Sequence, residues 1–347
     1  MPLKQLAPGE MTADDLRDWC SVLNDMTAAD MPGEPRWRTD RLSDYLTGSL
    51  PDDRRFLFMD RDEDGDLVGH ASLILFGQGH GGGEQGGTGV VEMSTRPSAR
   101  GRGVGSRLLR AVAECAHEHG CKTLSVEVIA TTPAVGFYDR HGFTRAVVEQ
   151  RHLLRWADID WEKIEHAAGR LAAGYRLEYH AGGVPDRLMD SYADVKANLR
   201  SSPGNVAFVP EWRGSAYAPA LRDSFQTLAR RGMRSHIAVA ISEPYGNVVG
   251  LTELVVSAQR PTRADQYDTV VAPQHRSYGL AMTMKARLLT ELRRAEPQLV
   301  DVQTWTLETA DDVRWINAEL GFVHDVDWYD YEADVDRLLA RLRRSAK

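Results

Sequence analysis

Two glycine-containing turns stand 176 residues apart, Arg100-Gly101-Arg102-Gly103-Val104-Gly105 and Arg276-Ser277-Tyr278-Gly279-Leu280-Ala281. Two Gly-Phe pairs, Gly142-Phe143 and Gly321-Phe322, stand 179 apart. Two motifs that share almost one offset constrain the chain to a tandem repeat, because each copy must build the same local structure twice. The length of 347 residues also exceeds one domain of about 100–200 residues. The pattern predicts a first domain over 1–157, a linker over 158–173 and a second domain over 174–347.

Each copy reads as strand, turn, helix, strand, short helix. In the first, Val90 to Thr95 is an extended run, and Val104, Leu108, Leu109, Val112 and Ala116 recur at helical spacing after it. The glycines between them leave backbone N–H groups uncovered where a helix begins. Those donors and the positive end of the helix dipole point at one anion, so the turn predicts a phosphate cradle, with Arg100 and Arg102 adding charge beside it. It has no Gly-Lys-Ser/Thr of a P-loop and no Gly-x-Gly-x-x-Gly of a dinucleotide fold. Upstream, Thr12 with Asp15 predicts a capped helix to Met26, and 40–50 a second helix; 25–37 reads as a loop. Phe56 to Met59 and Leu67 to Phe76 predict a hairpin, and 77–89 a glycine-dense connector.

With the Arg-x-x-Gly-x-Gly turn followed by Tyr138 four residues before Gly142, the sequence resembles the GNAT superfamily of acyl-CoA-dependent N-acetyltransferases, in a tandem arrangement of actinobacterial type. The resemblance implies an α/β (α+β) protein of two tandem GNAT-like domains, each a mixed, largely antiparallel central sheet flanked by helices. It implies acetyl-CoA as cosubstrate, with its pyrophosphate on Arg100, Gly101, Arg102, Gly103, Val104, Gly105 and Ser106. The strand backbone at Met93, Ser94 and Thr95 would hold the pantetheine arm, and Tyr138 would serve the leaving sulfur as acid. Glu92 and Glu127, carboxylates in otherwise apolar strands, are the two candidates for the base. The second copy keeps Arg276, Gly279 and Ala281 as a possible second coenzyme A site. Asn317 stands where the tyrosine would be, and asparagine cannot supply that proton.

The expected activity is transfer of an acetyl group to the primary amine of a small molecule, by direct attack in a ternary complex in the first domain. The alternatives are a mycothiol-synthase-like enzyme acting from the second domain, or a non-catalytic acyl-CoA-binding module. A formal net charge of −8 argues against nucleic-acid partners and favours cationic ones. The three cysteines, Cys20, Cys115 and Cys121, have no paired metal spacing, and no apolar run has the length of a membrane span. No metal, no membrane, a cytoplasmic location and a monomer or homodimer are the corresponding expectations.

Overall fold

The computed structural model describes residues 3–47, 53–76, 87–198 and 218–344. In chain order the elements are β1 (Lys4–Leu6), α1 (Ala13–Asp30), α2 (Thr39–Thr47), β2 (Arg54–Arg61), β3 (Leu67–Leu75), β4 (Thr88–Thr95), α3 (Val104–Glu118), β5 (Thr123–Ile129), α4 (Ala134–His141) and β6 (Thr144–Arg155). There follow α5 (Trp161–Gly169), β7 (Tyr175–Ala181), α6 (Asp186–Lys196), α7 (Ala218–Arg230), β8 (Met233–Ser242), β9 (Val248–Ser257), β10 (Arg263–Val271), α8 (Leu280–Ala295), β11 (Asp301–Leu307), α9 (Asp311–Glu319), β12 (Val323–Asp334) and α10 (Val335–Arg344). They form two compact units: Met1–Glu149 with Val326–Lys347, and Gln150–Asp325.

This division departs from the contiguous domains expected from the sequence. The last 22 residues, 326–347, lie in the first unit, and the second begins at Gln150 inside β6. The first unit has the strand order β1-β2-β3-β4-β5-β12, antiparallel except for the β4–β5 pair. In β12, Trp328 to Asp334 pair with Ile129 to Thr123 of β5. Tyr331 of β12 and Leu338, Leu339 and Leu342 of α10 are buried in the core under α3, and Arg110 donates to the Leu342 carbonyl at 2.7 Å.

On the opposite face of this sheet α1 and α2 bury Trp19, Val22, Leu42 and Leu46 against Leu57 and Met59. Helix α1 starts at the expected place: Thr12 accepts from the Asp15 N–H at 3.1 Å while the Asp15 carboxylate accepts from the Thr12 N–H at 3.2 Å. Such a capping box stabilises a helix by about 1 kcal/mol. The helix runs on to Asp30, through the first part of the segment read as a loop.

The second unit has the order β6-β11-β10-β9-β8-β7, with β10 and β11 parallel. Helices α5, α8 and α9 cover one face, with Leu288, Leu289, Leu292 and Phe322 buried there. Helices α6 and α7 cover the other, around Leu188, Tyr192 and Leu221. A glycine marks the same crossing in both units. A Cβ on Gly69 would lie 2.6 Å from Val104, and one on Gly250 would lie 2.9 Å from Met284, so the cradle helix rests directly on the sheet backbone.

Candidate active site

Strands β4 and β5 part company early. Their parallel register covers Thr88–Val90 against Thr123–Ser125 and stops. Beyond it β4 remains paired to β3 as far as Thr95, so the edge of Met93, Ser94 and Thr95 that faces β5 has no strand partner among the described residues. Buried backbone groups left open in this way are ready to bond an extended amide chain.

The cradle closes one end of this fork. Gly101 and Gly103 have φ of 75° and 80°, and Gly103 caps α3. Only glycine adopts these angles without strain, and a Cβ on Gly101 would meet open space. The N–H groups of the first helical turn have no partner within the helix and point into that space. Gly105 has a different purpose: a Cβ there would lie 3.1 Å from Phe137, so its absence lets α4 pack onto the helix entry. Ser106 bonds His141 Nε2 at 3.2 Å, and His141 Nδ1 in turn pairs with the Phe137 carbonyl at 2.8 Å. Proton placement follows from those partners: Nδ1 donates and Ser106 donates to Nε2.

The two cradle arginines divide their work. Arg100 grips Asp30 with two bonds of 2.8 and 2.6 Å, tying the end of α1 to the turn. Arg96 pairs with Asp25 on the same helix. Arg100, expected to face the phosphate, is thus neutralised by Asp30. Arg102 is exposed and makes no ion pair among the described residues, which leaves it as the cation available at the cradle.

Tyr138, on α4, is 3% exposed, with Phe137, Phe143 and Tyr331 packed around its ring. Burial pushes its phenol up, so it stays protonated. Its hydroxyl has no hydrogen-bond partner among the described residues.

The two carboxylates differ in their surroundings. Glu92 accepts from the Tyr45 hydroxyl at 2.6 Å, from Ser72 at 2.7 Å and from Arg55 at 3.3 Å. Two hydroxyls and a guanidinium thus occupy its oxygens, and an amine would have to displace one of them. Glu127 has no such partner among the described residues. It is directly opposite Asp330 in the β5–β12 register. Burial, then Asp330, Glu149 and Glu92, raise it to about 7. Its side chain is itself exposed, and that water screens part of the repulsion. Glu149 rises to about 6, by burial and by Asp330. Sequence reasoning missed Asp330 and Glu149, because the strand that brings Asp330 to Glu127 lies about 200 residues further along the chain.

The second unit keeps the cradle backbone. Ser277 and Gly279 have φ of 69° and 73°, close to Gly101 and Gly103, although Ser277 bears a side chain in that strained region. Arg276 donates to the Val271 carbonyl at 3.3 Å. Tyr278 and Tyr175 lie together at the turn, with ring centroids 5.6 Å apart.

The sequence model of the Acetyltransferase (GNAT) family matches residues 19–143. The first unit belongs to the GNAT family. Over the whole chain the fold is that of a tandem GNAT protein. A tandem GNAT protein from the clavulanic acid biosynthesis pathway, solved without acetyl-CoA, superposes with a TM-score of 0.80 at 21% identity, over 96% of this chain and 98% of that one. A GCN5-related N-acetyltransferase from Sphaerobacter thermophilus gives 0.68 at 14% identity, over 96% of both. A glucosamine N-acetyltransferase region of a fungal multi-domain GH3 β-N-acetylglucosaminidase gives 0.65 at 14% identity, over 95% of this chain and 38% of that one. No curated protein matches the sequence. Among the described residues no helix is long and apolar enough to cross a membrane.

Proposed function

We propose that the first unit transfers an acetyl group from acetyl-CoA to a cationic small-molecule amine, with Glu127 as the proton acceptor. The observation that carries this reading is Glu127 with its pKa near neutrality beside the β4–β5 fork, since a base works best with a pKa near the working pH. The residues present suit the cosubstrate. Open backbone donors at Gly101 to Gly105 and the exposed Arg102 would take its pyrophosphate, and the free edge of Met93 to Thr95 its amide arm. Acetyl-CoA supplies the activated thioester.

An ammonium entering the site meets Glu127, Asp330 and Glu149, whose combined negative charge favours a cation and rejects anions. Glu127 takes the ammonium proton, the amine nitrogen bonds to the carbonyl carbon, the carbon–sulfur bond breaks, and the second proton that the nitrogen then sheds passes to the departing thiolate, leaving a neutral amide and free coenzyme A thiol. Tyr138 acts here as a hydrogen-bond donor to the departing sulfur. A phenol pushed above its usual value of about 10 is a weaker acid than a thiol of about 8.5, so full proton transfer to the thiolate would run uphill. This revises the role of acid that the family resemblance implies. Assigning chemistry to the first unit is supported by Asn317, whose amide cannot stand in for that phenol.

The test is release of free coenzyme A thiol over a panel of mono- and polycationic amines, for the intact protein and for Glu127→Gln. Acetylation of a cationic amine that is lost in Glu127→Gln supports the proposal. Acetyl-CoA binding with no transfer to any amine would leave the acyl-CoA-binding module as the reading.

A further inference from the structure

The second unit holds buried polar groups where the first unit keeps core residues. By the offset of the cradles and of the elements after them, Leu109 corresponds to Lys285, Val128 to Thr306, Tyr138 to Asn317 and Phe143 to Phe322. In the first unit all four belong to one hydrophobic core. In the second only Phe322 stays apolar, while Lys285 is 2% exposed, Thr306 6% and Asn317 0%.

Phe322 joins two of them. Its N–H donates to the Asn317 carbonyl at 2.9 Å, as that of Phe143 does to Tyr138 at 3.1 Å. The Lys285 Nζ lies 5.6 Å from the Phe322 ring centroid. Thr306 shares its face of β11 with Val302, which packs in the core beneath α8.

These groups lack partners. Asn317 Oδ1 and Nδ2 and Thr306 Oγ1 are buried without a hydrogen bond among the described residues. Lys285 has neither an ion pair nor a hydrogen bond there. Burial alone acts on its amine and lowers it from 10.5 to about 7. The charged side chains of the packed helices are engaged elsewhere or turned outward: Lys163 of α5 pairs with Glu319 of α9, Glu165 of α5 with Arg293 of α8, and Arg314 with Asp311 on α9. Glu162 and His166 of α5 and Asp312 of α9 are exposed.

Buried amides and hydroxyls are bonded in native proteins, and buried cations are paired or neutralised. Exceptions on three elements that pack on one core, α8, β11 and α9, have a common explanation if one partner is missing from all of them. That partner must balance a cation and accept from an amide N–H and a hydroxyl. It must also fit the room left when the phenol ring of Tyr138 becomes the shorter amide of Asn317. A carboxylate has two acceptor oxygens and one negative charge, and an ammonium has three donors, enough for the anion and for Asn317 Oδ1 as well.

We propose that the second unit binds a small carboxylate in its interior, held by Lys285, Asn317 and Thr306 at the position where the first unit keeps Tyr138. The unit then serves as a binding domain whose ligand completes its core. Because the amine is charged by the anion it receives, binding draws a proton from solvent.

The test is calorimetric titration of the intact protein with sodium acetate at about pH 8, above the range in which Lys285 is charged when free, in two buffers of different protonation enthalpy, with chloride as control. The expected result is saturable acetate binding with uptake of about one proton, absent with chloride and absent in Lys285→Met. Thr306→Val, which keeps shape and removes one donor, should weaken acetate binding by about tenfold with proton uptake intact. The Thr306 variant also decides the matter if Lys285→Met does not fold. Acetate binding without proton uptake, no saturable binding, or binding unchanged in both variants would overturn the proposal.

Discussion

Glu127 and Asp330 face each other as directly paired residues across two strands that the chain reaches about 200 residues apart. Their mutual repulsion adds to burial in holding Glu127 at about 7, against an ordinary value of 4.5. Activity that needs ionised Glu127 should rise with pH through that region. Asp330→Asn removes one negative neighbour, so the Glu127 pKa falls and the acidic limb of the kcat/KM profile moves to lower pH. Glu127→Gln should remove the limb and lower the rate by roughly 10²–10⁴ fold. The stability effect has the opposite sign. A carboxyl raised in the folded state is harder to ionise there than in the unfolded chain, so its ionisation subtracts stability as pH climbs from about 4.5 to about 7. Glu127→Gln should gain stability relative to the parent at pH 8 but not at pH 4, measured by urea unfolding at both.

Arg100 and Arg102 should separate cleanly in a binding experiment. Arg102→Ala removes the available cation and should weaken acetyl-CoA binding by about tenfold, with unfolding midpoint unchanged. Arg100→Ala leaves Asp30, largely buried, without its guanidinium. The loss should be about 1–3 kcal/mol of stability, read by denaturant unfolding, with the larger effect on the fold rather than on the coenzyme. Equal binding losses in the two variants would show that the arginines share the phosphate.

Much of this could be read in the sequence because it is local. The αL glycines, the Thr12–Asp15 cap and the β2–β3 hairpin each depend on a few adjacent residues, and all appear where spacing places them. The connector at 77–89 lies outside the described residues as far as position 86. What escaped depends on distant pairing. The strand after Gly321-Phe322 repeats the strand after Gly142-Phe143, yet nothing in either strand's alternation states which sheet takes it. Only the register of Trp328 to Asp334 on β5 decides that β12 closes the first unit. Glu92 illustrates the same limit at the site: its strand position marks it as a candidate base, but Tyr45, Arg55 and Ser72, which occupy it, come from three other elements.

Tyr138→Phe should keep the fold, since its ring contacts with Phe137, Phe143 and Tyr331 survive the loss of a hydroxyl that has no partner among the described residues. If the hydroxyl stabilises the departing thiolate, kcat should fall by roughly 10²–10³ fold with the amine KM little changed, the pattern of an interaction made in the transition state. Asn317→Ala, at the matching place in the second unit, should leave kcat for the amine unaltered. A drop in kcat with Asn317→Ala and none with Tyr138→Phe would move the chemistry to the second unit.

The placement of α10 makes a prediction about cooperativity. Leu339 is buried with Leu108, Leu109 and Val112 in the first unit's core although it lies near the end of the chain. Leu339→Ala removes several buried methyl and methylene groups and should cost about 2–5 kcal/mol, depending on how far α3 and α10 can close the space. The first unit contains the acetyl-CoA cradle, so the loss should appear in the unfolding step that acetyl-CoA shifts upward, because a ligand stabilises only the unit that binds it. Leu289→Ala, an equally buried position of the second unit, should weaken a step that acetyl-CoA bound at the first cradle does not move. Differential scanning calorimetry with and without acetyl-CoA separates the two. If the Leu339 variant destabilised only the transition that acetyl-CoA leaves in place, the cofactor and the carboxy-terminal helix would belong to different cooperative units, and the first cradle would not be where coenzyme A binds.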